Sequence, residues 1–174
     1  MKNILKFLCV IVVVFCASSA SAQGRYDKGD VLLNAGIGLG YYYAGGVPLL
    51  LSAEWAVNDA ISVGPYFGYT SYRYRYLTNY NFSFIDFGVR GSYHFNELFE
   101  IRNEQVDVYG GVFLGYVVST YPREFKDYNL DPYPGKLRLG IHAGVRYFFT
   151  QSVAGYAELG AGIAPLALGF SFKL

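Results

Sequence analysis

Long hydrophobic runs are almost missing from this 174-residue chain. The one unbroken apolar stretch, Phe7 to Cys16, has ten residues, half of the roughly 20 that a helix needs to cross a bilayer. Helical membrane architectures are therefore excluded. Cysteine is equally scarce, since Cys9 and Cys16 both lie inside that stretch. Charge of one sign is lacking too: the formal net charge is +1, which leaves no electrostatic footprint for nucleic acid. Charged residues make up only 16%, while 53% of residues are apolar and 19% aromatic, a balance that excludes a disordered chain. A helix bundle is excluded by the 21 glycines, each costing about 1 kcal/mol at an interior helical site.

The first residues are read apart from the fold. Lys2 and Lys6 precede the apolar stretch, and small and polar residues follow it from Ala17 to Ala22. This order predicts a secretory signal peptide over residues 1–22, cut between Ala22 and Gln23. The remaining 152 residues, 23–174, are then one thiol-free domain. They carry no disulfide scaffold, no Cys-based metal site and no Cys nucleophile, and nothing in them implies a cofactor.

What is present is a period of two. From Lys136 onward Leu137, Leu139, Ile141, Ala143, Val145, Tyr147 and Phe149 alternate with Lys136, Arg138, Gly140, His142, Gly144 and Arg146. A helix would scatter the apolar set around its circumference, so this segment is a strand. Seven further segments share the pattern, at about 31–41, 49–57, 61–69, 83–95, 106–118, 153–163 and 166–174. Most have the ~9 to 11 residues of a membrane-spanning strand or slightly more.

The faces of these strands differ in kind. One carries Leu, Val, Ile, Ala and aromatics; the other collects Glu54, Asp86, Asp107 and Glu158 against Arg90, Arg138, Arg146 and Lys173, with His94 and His142. Glycine decides which face is inside. Thirteen of the 21 lie on the polar face and three (Gly91, Gly110 and Gly155) on the apolar one. A solvated surface gains nothing from that bias, whereas a narrow barrel needs small residues where Tyr and Arg cross its interior. The polar face is thus read as the lumen and the apolar face as the lipid side. Aromatics on the apolar face gather toward strand ends: Trp55, Tyr93, Phe95, Tyr147, Phe149 and Phe172 at one rim, and Tyr41, Phe67, Tyr69 and Tyr116 at the other. Two such girdles suit two bilayer interfaces.

Leu166, Leu168, Phe170, Phe172 and Leu174 alternate to the last residue, a pattern that resembles the C-terminal strand signal of bacterial barrels. On this and the eight alternating segments, the chain from residue 23 resembles the small OmpA/OmpX-type barrels and the general outer-membrane β-barrel domain family. Leu174 stands where many members have Phe. The resemblance implies an all-β fold, an eight-stranded antiparallel up-and-down transmembrane β-barrel in a Gram-negative-type cell outer membrane. It implies both termini in the periplasm, insertion by the barrel assembly machinery, and contact with outer-membrane lipid and lipopolysaccharide. It implies no common activity, since lipid A acylases and deacylases share the scaffold.

The lumen is expected to hold a compensated network of Glu54, Asp86, Arg90, Asp107, Arg138, His142, Arg146, Glu158 and Lys173, with Asp107 paired to Arg146 and Glu158 to His142. Tyr66, Tyr109 and Tyr156 also point inward. Such a network blocks flow; a narrow channel or carrier for small or apolar solutes is the alternative. Neither His94 nor His142 stands in the His-x-Ser context that resembles the deacylases, so both read as structural and the protein as no enzyme. Two longer outer loops, Ser71–Asn81 and Thr120–Gly135, offer Tyr72, Arg73, Tyr74, Arg75, Tyr76, Arg123, Lys126 and Tyr128 as contact residues. Their Tyr and Arg chemistry suits carbohydrate, lipopolysaccharide phosphate or a partner protein; the alternative is that Tyr72, Tyr74 and Tyr76 continue strands three and four above the membrane, with Arg73 and Arg75 neutralising lipid phosphates. The acidic segment Asn96–Gln105 is read as a solvated loop or a contact for a periplasmic partner.

Overall fold

A computed structural model describes residues 26–40, 46–74, 80–120, 135–161 and 163–174. The alternating segments become eight strands: β1 (Val31–Leu39), β2 (Leu49–Asn58), β3 (Ile61–Tyr74), β4 (Tyr80–His94), β5 (Val106–Thr120), β6 (Lys136–Phe148), β7 (Val153–Ala161) and β8 (Leu166–Lys173). Each pairs antiparallel with its neighbour in sequence, and β8 returns to β1 from Leu32↔Lys173 to Leu39↔Leu166, closing the barrel. Closure leaves no free edge along the shared ladder, the condition for a sheet to stand in hydrocarbon. Both described chain ends and the β2–β3, β4–β5 and β6–β7 connections lie at one mouth, here the terminus side. The β1–β2, β3–β4, β5–β6 and β7–β8 connections lie at the other, the loop side.

The largest boundary difference lies at β3–β4. Ser71–Asn81 reads from the sequence either as an outer loop or as strands three and four continuing above the membrane, and the second holds for its described residues: β3 runs on to Tyr74 and β4 starts at Tyr80, with Tyr72 opposite Phe82 and Arg73 opposite Asn81. The Tyr/Arg alternation is itself a period of two built from good strand formers, so the ladder continues through it. The wall is consequently uneven: β4 and β5 have 15 residues each, β8 has 8.

The strands are inverted relative to a soluble barrel. Leu139 on the outer face is 74% exposed, whereas Glu54 and Asp107 are 0% exposed. Trp55, Tyr93, Tyr147 and Phe149 are exposed toward the terminus side and Phe67, Tyr69 and Tyr116 toward the loop side; Tyr41 lies outside the described residues. Inward glycines make room for aromatic rings. A Cβ on Gly115 would strike the Tyr66 hydroxyl, one on Gly36 the Tyr156 hydroxyl, and one on Gly144 the Tyr109 ring, whereas at outward Gly91 no atom comes closer than 3.7 Å. Ring and glycine thus interlock across the lumen.

Candidate functional site

The lumen holds the chemistry, and its terminus-side half is organised around two buried carboxylates. Glu54 on β2 accepts from Asn34 Nδ2 (2.8 Å), Ser62 Oγ (3.0 Å) and Ser92 Oγ (2.8 Å), which reach it from β1, β3 and β4. Arg90 Nε stands 3.5 Å and Arg146 Nη2 4.0 Å from its Oε1. Asp107 on β5 meets Arg146 Nη1 at 2.5 Å and His94 Nδ1 at 2.7 Å. Burying either carboxylate alone would be costly, and this density of donors is what makes burial tolerable.

Arg146 is the hub between them. Its Nε donates to Ser171 Oγ (2.8 Å), its Nη2 reaches Asn34 Oδ1 (3.4 Å), and its guanidinium lies 4.5 Å from the Tyr109 ring centre. Register explains the meeting: Asp107 is directly opposite Arg146 on β5 and β6. Below this cluster the segment before β1 folds under the barrel. Tyr26 stacks flat on His94 (centroids 3.6 Å apart, planes 9° apart) and donates to the Ile61 carbonyl at 2.7 Å. Burial pushes the Tyr26 phenol above its ordinary range, so it stays protonated and able to donate. With Leu32, Ala56, Phe148 and Ala154 it forms an apolar cluster across the terminus-side mouth. Lys173 stands at that rim, 3.3 Å from Asp30, apart from the central cluster.

The loop-side half is looser. Asp86 pairs with Arg138 and accepts from Tyr66 Oη at 2.8 Å. Glu158 takes Arg90 Nη2 at 2.7 Å and Tyr109 Oη at 3.2 Å. The expected Glu158–His142 pair does not form: β6 and β7 place Glu158 opposite Gly144 and His142 opposite Gly160, and the longer Arg90 crosses the lumen to claim the carboxylate. His142 instead meets Ser92 through Nε2 at 3.0 Å. Because the Ser92 proton is given to Glu54, Nε2 is the donor, and the buried Nδ1 lone pair has no partner among the described residues. Beside it lies a cavity of about 50 Å³, lined by Arg90, Tyr156 and Glu158 on one part and by Leu50, Phe113 and Ile163 on another. It has room for a few water molecules.

Sequence reasoning missed Tyr26, which has no periodic context, and underweighted Asn34, Ser62, Ser92 and Ser171, whose inward parity alone marks them. Of the loop candidates, Tyr72, Arg73 and Tyr74 lie on β3, and Arg73 Nε donates to Asn81 Oδ1 at 3.1 Å. Arg75, Tyr76, Arg123, Lys126 and Tyr128 lie outside the described residues. Among the described residues no cluster of three His, Cys, Asp or Glu is placed to hold a metal.

An eight-stranded antiparallel barrel with an apolar outer belt, aromatic rims and an ion-paired interior is the architecture of the small outer-membrane β-barrels. Solved structures of that class share the fold. OprG from Pseudomonas aeruginosa matches at a TM-score of 0.63 with 10% identity, over 87% of this chain and 98% of its own. The N-terminal β-barrel domain of Pseudomonas aeruginosa OprF matches at 0.53 with 14% identity, over 86% and 100%. Ail, the attachment invasion locus protein of Yersinia pestis, solved with the heparin analogue sucrose octasulfate, matches at 0.54 with 15% identity, over 84% and 99%. No family model and no curated protein matches the chain.

Proposed function

We propose that the protein is an integral outer-membrane barrel with a closed lumen, non-enzymatic, acting as a structural or surface-interaction element through its loop side. Residues 1–22 act as the secretion signal, and the terminus side faces the periplasm. The observation that carries the closed lumen is the Arg146 hub, which ties Asp107, Asn34 and Ser171 together across the bore with Tyr26 and Phe148 beneath it. Planar-bilayer recording tests it: no discrete current steps are expected. Reproducible steps that change when Arg90 or Arg146 is replaced would establish the narrow conduit instead, the reading to which the cavity beside His142 lends support.

The surface role rests on the β3–β4 hairpin. It extends the ladder to Tyr74 and Tyr80 and carries exposed Arg73 among tyrosines, with Arg75 next in sequence. Guanidinium groups and tyrosine hydroxyls suit sulfate or phosphate on sugars. The heparin analogue on Ail supports a glycan polyanion as the ligand class. Heparin binding to the barrel in nanodiscs, lost in Arg73→Ala with Arg75→Ala, is the expected result. Equal binding by the double variant would remove the hairpin from the role.

A further inference from the structure

The β4–β5 turn on the terminus side is a built element. Asn96 pins it by donating from Nδ2 to the Val106 carbonyl (2.6 Å) and accepting at Oδ1 from the Val108 amide (2.8 Å). A helical turn follows, with Phe99 N donating to Phe95 O and Ile101 N to Asn96 O, each at 2.9 Å. Glu100 takes a φ of 51°, a left-handed conformation that a non-glycine residue holds only when its surroundings fix it. This fixed turn presents Leu98 and Phe99, 63% and 59% exposed. A solvated turn has no use for two large apolar side chains held outward.

The direction in which they are held identifies what covers them. Tyr93 on the outward face of β4, the face of the lipid belt, and Phe95, one residue past the end of that strand, meet edge-on at 5.0 Å. Phe99 stacks on Phe95 at 5.3 Å with planes 13° apart, so the aromatic column Tyr93–Phe95–Phe99 runs down the outside of the wall past the end of the strand. Leu98 neighbours the last ring. Glu97 and Glu100 flank the pair in sequence and are exposed. Apolar side chains continuous with a lipid-facing girdle, bracketed by acids, fit the boundary between acyl chains and headgroups.

We propose that Leu98 and Phe99 form a membrane-interface anchor, by which the β4–β5 turn folds back onto the inner-facing leaflet and continues the aromatic girdle outside the strands. The anchor rests on the membrane-barrel reading above, and Trp55, the sole tryptophan, separates the two. In the unaltered protein, refolded into phosphatidylcholine vesicles, quenching of Trp55 by brominated acyl chains reports the barrel wall itself. In a Trp55→Phe, Phe99→Trp variant the emission reports the turn alone. Its emission should be lost to lipid brominated near the headgroup more than to lipid brominated near the chain end, and iodide in the water should leave most of it. Retention of the β-sheet circular dichroism spectrum shows that the variant has folded. Loss of emission to iodide with no loss to either brominated lipid, while Trp55 in the parent is quenched by lipid, would overturn the anchor and leave the barrel standing.

Discussion

The two halves of the lumen are built from the same residue types and finished differently. On the terminus side, Glu54 and Asp107 share Arg146; Ser62 and Ser92 donate to Glu54, His94 meets Asp107, and Tyr26 stacks on His94. On the loop side, Asp86 and Arg138 make a separate pair, and a cavity of about 50 Å³ lies beside a histidine nitrogen with no partner among the described residues. Buried charge is tolerable only with complete compensation. The terminus-side half therefore sets the stability of the bore, and the loop-side half holds what adaptability the interior has.

Replacing Arg146 attacks that difference most directly. Arg146→Met keeps comparable apolar bulk but strips Asp107, Asn34 and Ser171 of a shared donor. A loss of about 3–5 kcal/mol is expected, read by urea unfolding in vesicles through Trp55 emission. Arg138→Met removes one partner of Asp86 while Tyr66 still donates to it, so roughly 2 kcal/mol is expected in the same assay. Equal losses for the two variants would erase the distinction between the halves.

Tyr26→Ala tests the seal. Removing a ring that is 2% exposed should cost about 2 kcal/mol, yet bilayer currents should stay absent because the Arg146 cluster lies behind it. Current steps in this variant alone would make Tyr26 the true stopper and the polar cluster incidental.

How far the sequence reveals this architecture follows from which contacts repeat along the chain. Alternation over Lys136–Phe148 identifies a strand because every second residue repeats the same environment, and the glycine bias at positions such as Gly36 and Gly115 identifies the inside because rings must cross there. The Asp107–Arg146 pair is legible because both residues sit at similar depth on consecutive strands. Arg90 reaching Glu158 is not, because its side chain crosses the bore from β4 to β7 and no strand register encodes such a span. Tyr26 is hidden for a related reason: a single contact made by an irregular segment leaves no periodic trace. The β3–β4 hairpin is legible as alternation, but its polar residues also resemble turn chemistry, so the sequence leaves strand and loop both open over Ser71–Asn81.

The smallest effect belongs to His142, and it sharpens the contrast through its counterpart. His94 and His142 both face the lumen, and each touches a serine that donates to Glu54. His94 also holds Asp107 and carries the Tyr26 stack, so His94→Met exposes a fully buried carboxylate to the loss of one partner and should cost roughly 2–3 kcal/mol. His142→Met forfeits the bond to Ser92, whose proton remains committed to Glu54, and a tilted ring contact with Tyr109 at 6.2 Å, and it removes a buried nitrogen that has no partner among the described residues. Methionine is flexible enough to occupy part of the adjoining cavity. The two terms nearly offset, and the change should stay within about 1 kcal/mol of the parent on urea unfolding. A loss at His142 as large as that at His94 would mean that ordered water in the cavity completes the network through Nδ1, and the contrast between the two halves would then be lost.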